Sequence, residues 1–156
     1  ASSQRVAVQV DVALRQGGEL LTGESAAEGA YFRPAVIAGL PAEADVARSE
    51  EIFGPVFSLI PVRSPEEALT VANDSDLGLM ASVFTADLKL AWSLAERLET
   101  GGVVINGSDN YRPPVIPFGG TKMSGVGREG LGYTIEELSR EKTIVLRNFR
   151  AEGPEA

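Results

Sequence analysis

The alternation of apolar and polar positions divides the chain into short helices and strands. Val6, Val10, Ala13 and Leu14 recur at helical spacing behind Ser2 or Ser3 as a hydroxyl cap, and Gly17-Gly18 supplies a stop. Residues 19–49 read as short strands in loop: Leu20-Leu21, then the run from Tyr31 to Ile37, then a Gly/Pro/Ala stretch. A compact apolar strand is expected from Val56 to Val62, bounded by Pro55 and Pro61. Ser64-Pro65-Glu66-Glu67 opens a helix with a hydroxyl cap, a proline at the first helical position and two carboxylates facing the positive end of the dipole. Asn73-Asp74 and Gly78 end it. Residues 81–85 predict a strand. Asp87 then caps a second helix, on which Leu88, Ala91, Trp92, Ala95 and Leu98 share one face before Gly101-Gly102. Val103-Val104-Ile105 is a short, wholly apolar strand. This strand–helix–strand alternation predicts an α/β fold, an open parallel-type sheet with covering helices.

Beyond Asn106 the texture changes. Nine of the 17 glycines fall between residues 101 and 132, together with Pro113, Pro114 and Pro117. Such backbone forms structured loops that approach ligands or other backbone closely. A short helix is expected over residues 134–140, a strand over 143–146, and a frayed polar tail from residue 150. Because the first helix starts almost at residue 1, the chain reads as opening inside a larger architecture.

Composition narrows the function classes. The 156 residues suit one ordinary domain, and 14 basic against 22 acidic side chains give a net charge of −8. That charge repels phosphate backbones and anionic membranes, so neither nucleic acid nor a membrane is expected as a partner. There is no Cys and no His. Thiolate nucleophiles, imidazole bases and the usual zinc ligands are therefore impossible within these residues, and no calcium-loop spacing is present. The apolar runs are too short to span a bilayer, and Ala1-Ser2-Ser3-Gln4-Arg5 lacks the pattern of a secretion signal, which points to a soluble cytoplasmic protein.

Two motifs compete for attention. Gly125-Val126-Gly127-Arg128-Glu129-Gly130 has the spacing of a dinucleotide fingerprint, but no apolar strand precedes it, no helix opens before Gly132, and position 150 is Arg where an acid is required. It reads as a structured loop. Glu50-Glu51-Ile52-Phe53-Gly54-Pro55-Val56 sets two carboxylates, an aromatic and a Gly-Pro turn just before an apolar strand. A carboxylate can accept from both vicinal hydroxyls of a ribose, and an aromatic two residues on can pack against a flat ring. The alternative is a surface acid beside a core phenylalanine.

The company these residues keep is more specific. Tyr31-Phe32-Arg33-Pro34 is followed by Glu51-Ile52-Phe53-Gly54-Pro55-Val56, Ala72-Asn73-Asp74 with Leu77-Gly78-Leu79, and Gly101-Gly102-Val103-Val104-Ile105-Asn106. Pro117-Phe118-Gly119-Gly120-Thr121-Lys122-Met123-Ser124-Gly125 and Gly127-Arg128-Glu129 complete the set. In this order the set resembles the NAD(P)-dependent aldehyde dehydrogenase superfamily, from about residue 17 to about residue 146. The resemblance implies that Glu51 holds the nicotinamide ribose, that Phe53 packs beside the nicotinamide and that Phe118 forms one wall of the aldehyde tunnel. It implies NAD or NADP as cofactor, bound mainly by a domain outside this chain. A small aldehyde is the implied substrate, and residues 107–116 would shape its mouth. Residues 143–146 resemble a strand that joins the small oligomerisation sheet of a neighbouring subunit, so a homo-oligomer is expected. Asn106 to Arg112 resembles members acting on small hydroxylated or acidic aldehydes. Arg112 is either a bidentate contact for a carboxylate or phosphonate, or an exposed or inter-subunit loop arginine.

In this family a Cys thiolate attacks the aldehyde, hydride leaves the thiohemiacetal for nicotinamide, and a Glu activates the hydrolytic water. Both residues lie farther upstream of the Glu-x-Phe-Gly-Pro motif than the 50 residues before Glu51. The chain therefore reads as the C-terminal part of an aldehyde dehydrogenase, with no catalytic residue and no metal site of its own. It divides into a partial catalytic domain (1–132), a C-terminal helix and oligomerisation strand (133–150) and a disordered tail (151–156). Alone it is expected to be inactive. The rival reading is a non-enzymatic stand-alone α/β oligomerisation module.

Overall fold

A computed structural model describes residues 2–148. Helix α1 (Ser2–Arg15) opens it, followed by strands β1 (Glu19–Thr22), β2 (Ala27–Glu28), β3 (Tyr31–Phe32) and β4 (Ala35–Ala38). The α1 stop is built as its glycines predict. Gly17, at φ 108°, donates to the Leu14 carbonyl and Gly18 reaches back to that of Ala13. Helix α2 (Asp45–Arg48) and β5 (Val56–Ser58) follow, then α3 (Pro65–Asn73), β6 (Leu77–Gly78), β7 (Met80–Val83), α4 (Leu88–Arg97) and β8 (Gly102–Ile105). The short β9 (Thr121–Lys122) and α5 (Tyr133–Leu138) complete the order.

The fold is mixed α/β with open sheets. In the largest, of order β1-β4-β5, β1 runs antiparallel to β4 and β5 parallel to it. β7 and β8 form a second, parallel pair, whose strands are connected through α4. The core sits where α1 covers β4. Val6, Val10 and Ala13 pack with Ala35, Ile37 and Leu40, and Val10, Ile37 and Leu40 are wholly buried. Two of the three predicted helix caps form: the Ser64 hydroxyl accepts from the Glu67 amide at 3.2 Å, and Asp87 accepts from the Lys89 and Leu90 amides, whereas Ser2 and Ser3 lie inside α1 and the Ser3 hydroxyl donates to the Gly29 carbonyl.

Three expectations need correction. The run from Tyr31 to Ile37 is two strands, because Arg33-Pro34 interrupts the pairing and β3 joins β2 while β4 joins β1. The strand expected from Val56 to Val62 ends at Ser58. On α4, Ala91 is buried, but Leu88 and Trp92 of the same predicted face are exposed. Residues 143–146, expected to pair with the sheet of a neighbouring subunit, have no strand partner among the described residues of this chain, and Ile144, Val145 and Leu146 are exposed. The expected tail at 150–156 lies outside the described residues. No helix among the described residues is long and apolar enough to cross a membrane.

Candidate functional site

Glu51, Phe53, Arg112 and Phe118 line one cleft of about 830 Å³, although up to 67 residues separate them in sequence (118 − 51). Its floor comes from β6 and the start of β7, its far side from the loop around Asp109-Asn110 and from Met123-Ser124.

The Glu50-Glu51 pair shows how one side of the cleft is made. Gln9, on the inward side of α1, donates from Nε2 to Glu50 Oε2 at 2.8 Å and to the Glu51 carbonyl at 3.2 Å. Glu50 therefore faces a groove along α1 with Arg5, Val8 and Val12, whereas Glu51 faces the cleft. The Glu51 carboxylate is exposed and makes no hydrogen bond or ion pair with the described residues. Gly54 lets α1 press against this loop: a Cβ there would lie 2.7 Å from a Val6 methyl. Phe53 is 71% exposed, with the Arg5 guanidinium 5.9 Å from its ring centroid, so it is not a core residue.

The opposite side rests on Phe118 and Glu129, which exchange both backbone hydrogen bonds, at 2.9 and 2.6 Å. Phe118 is half-buried, and the Arg112 guanidinium lies 3.9 Å from its ring centroid while pairing with the Glu129 carboxylate. The turn behind Phe118 is pressed onto the backbone just before β8. A Cβ on Gly101 would overlap the Gly119 carbonyl.

Several motif residues turn out to be scaffolding. Asn73 donates to the Arg97 carbonyl and accepts from the Glu99 amide, tying the end of α3 to the end of α4. Asn106, at φ 54°, exchanges two hydrogen bonds with the Thr85 backbone. Thr121 Oγ1 reaches the Gly78 and Glu99 carbonyls, and Ser124 Oγ accepts from the Gly78 amide. Lys122 Nζ binds the Asn73 and Ser75 carbonyls and pairs with Glu99. Together they hold β9 on β6 under the cleft. The Gly125–Gly130 stretch is bends and the single bridge of Glu129 to Phe118, with no helix before Tyr133, the structured loop expected of it.

Gln9 stands outside every motif singled out in the sequence, and Glu129 appears there only within Gly127-Arg128-Glu129, without a role of its own. Gln9 did leave a signal: a polar residue three positions after Val6 and one before Val10, on the apolar stripe of α1. The motif around Glu129 gives no sign of its partners, because its pairing with Phe118 and Arg112 depends on how the glycine-rich loop returns.

Comparison with known proteins identifies the family. Residues 1–144 match the Aldehyde dehydrogenase family. The chain is 42% identical over 148 residues to a lactaldehyde dehydrogenase of Methanococcus maripaludis, covering 95% of this chain and 31% of that protein. It is 36% identical to a 3-sulfolactaldehyde dehydrogenase of Priestia megaterium, covering 92% of this chain and 30% of that one. The crystal structure of glyceraldehyde-3-phosphate dehydrogenase GapN from Methanocaldococcus jannaschii, complexed with NADP, superposes with a TM-score of 0.84 at 38% identity, over 92% of this chain and 30% of that chain. The chain belongs to the aldehyde dehydrogenase family. It spans about a third of the length of the curated relatives it matches.

Proposed function

We propose that this chain supplies the nicotinamide-ribose contact and the aldehyde mouth of an NAD(P)-dependent aldehyde dehydrogenase. The observation that carries the reading is the convergence of Glu51, Phe53, Phe118 and Arg112 on one open cleft. The residues fit the cofactor: a vicinal diol needs a reachable carboxylate with unpaired oxygens, and Glu51 offers one. When bound, the cofactor supplies the hydride acceptor. Glu51 accepts from the ribose hydroxyls, Phe53 packs against the nicotinamide and Phe118 walls the aldehyde path. The nucleophilic thiol comes from outside these 156 residues, which contain no Cys.

Small hydroxylated or acidic aldehydes are the proposed substrate class, in keeping with relatives that are named for lactaldehyde and 3-sulfolactaldehyde. Arg112 serves Glu129 through Nη2, and its other N–H donors remain available to a substrate anion at the mouth. We further propose a cytoplasmic location. The exposed Ile144-Val145-Leu146 segment pairs with a sheet edge in a second copy, where main-chain hydrogen bonds complete it.

Titration with nicotinamide mononucleotide, followed by backbone amide NMR, tests the site. Glu51 and Phe53 resonances should shift at millimolar ligand, and Glu51→Gln should weaken binding about tenfold, the size of one charge-assisted hydrogen bond. Shifts that avoid residues 50–54, or equal affinity in Glu51→Gln, would overturn the reading.

A further inference from the structure

Two adjacent carboxylates repel each other, and nothing in the dipeptide itself decides which one faces the cleft. The decision is made on α1. Gln9 is 8% exposed, lies between the buried Val6 and Val10, and its amide nitrogen spans Glu50 Oε2 and the Glu51 carbonyl. A primary amide has two N–H donors, and these two acceptors use both. One bond draws the Glu50 side chain toward α1, and the other fixes the peptide that follows Glu51. With Glu50 committed and that peptide oriented, the Glu51 side chain is left facing the cleft. The contact of Val6 with Gly54 closes the far end of the same loop, so the Glu51 segment is held at both sides by one helix.

We propose that Gln9 is a positioning residue for Glu51, setting the carboxylate in advance for the cofactor ribose. The proposal rests on the reading of Glu51 given above. Preorganisation lowers the cost of ordering a loop on binding, so its loss appears in affinity for the nucleotide. The same helix that closes the core thereby sets the binding loop.

The test uses the full chain, nicotinamide mononucleotide as probe and amide NMR as readout. Gln9→Met keeps size and apolar packing but donates no hydrogen bond, and it should weaken binding about three- to tenfold. Glu50→Gln keeps an acceptor for the Gln9 amide and should stay within about twofold of the parent. In a Glu51→Gln background, Gln9→Met should add little, because the group it positions is gone. Should Gln9→Met fail to fold, Glu50→Ala at an exposed site removes one of the two bonds and carries the same expected direction. Parent-like affinity in Gln9→Met or Glu50→Ala, while Glu51→Gln is weakened, sinks the positioning role and leaves the role of Glu51 intact. An equal loss in both backgrounds also sinks it, since a general structural effect is additive. No shift at residues 50–54 in the parent removes the Glu51 reading and this inference together.

Discussion

Residues 2–44 and residues 76–148 are held together by different means. The first region closes a core: Val10, Ile37 and Leu40 are fully buried, and Val6, Ala13, Phe32, Ala35 and Ala44 complete one cluster. Among the described residues after Ala44, only Leu69, Gly78, Ala91 and Gly120 are buried. The later region is organised instead by side chains bonded to backbone, through Asn106, Thr121, Lys122 and Ser124. It also leaves Phe84, Leu88, Trp92 and Leu138 exposed. One region gains its order from excluding water, the other from satisfying particular carbonyls and amides. The cleft lies where they meet, with Glu51 and Phe53 on a loop tied to α1 of the first region and Phe118 and Arg112 from the second.

The largest effect should separate the two regions directly. Leu40→Ala leaves a cavity among fully buried neighbours and should cost about 2–5 kcal/mol. Leu88→Ala, at a position 74% exposed, should change stability by less than about 0.5 kcal/mol. Urea denaturation of both variants gives the comparison, and equal losses would mean that Leu88 is covered in solution. Next in size is Gly101→Ala. Its new Cβ would meet the backbone of Gly119, which has no flexible end to move aside, and overpacking of this kind costs about 1–3 kcal/mol. Amide shifts should move around Phe118 and stay unchanged around Val10. A disturbance that spreads to Val10 would show the regions to be one cooperative unit.

The same contrast governs what could be read in the sequence. The core helix, the caps at Ser64 and Asp87 and the α/β alternation follow from spacing alone, because burial and capping leave periodic or local marks. The face of α4 was misread: Leu88 and Trp92 are apolar at the right spacing, yet the packed side is centred on Ala91. Apolar spacing finds a stripe but not what covers it. The Thr121–Ser124 clamp has no periodic signature, since hydroxyls and an ammonium seeking carbonyls elsewhere depend on a tertiary approach. That segment was legible through family resemblance only. Glu51 was singled out by its neighbours in sequence, whereas Gln9, 42 residues earlier, was not (51 − 9).

The smallest expected effect concerns the tie between the helices that flank β7. Arg97 donates to both Glu66 oxygens, at 2.9 and 2.5 Å, joining the start of α3 to the end of α4. The Arg97 hydrogen bonds hold the Glu66 carboxyl below its ordinary value of 4.5; desolvation opposes them, and the charge of Arg97 adds the least. A carboxyl whose value is lowered by folding binds fewer protons in the folded state. Its contribution to stability is therefore complete above pH 4.5 and is lost as the pH falls through the lowered folded value. Glu66→Gln should lower Tm slightly at about pH 7, and the gap to the parent should close on acidification below 4.5. The pair is exposed, so added salt should narrow the gap at neutral pH as well. Glu67, held down by Arg63 within the same helix start, titrates with the same sign in both proteins and cancels from the difference. A gap that persists unchanged through acid would mean that Glu66 acts through packing on α3 and not through its charge. The later region would then depend less on polar ties than its contrast with the core implies.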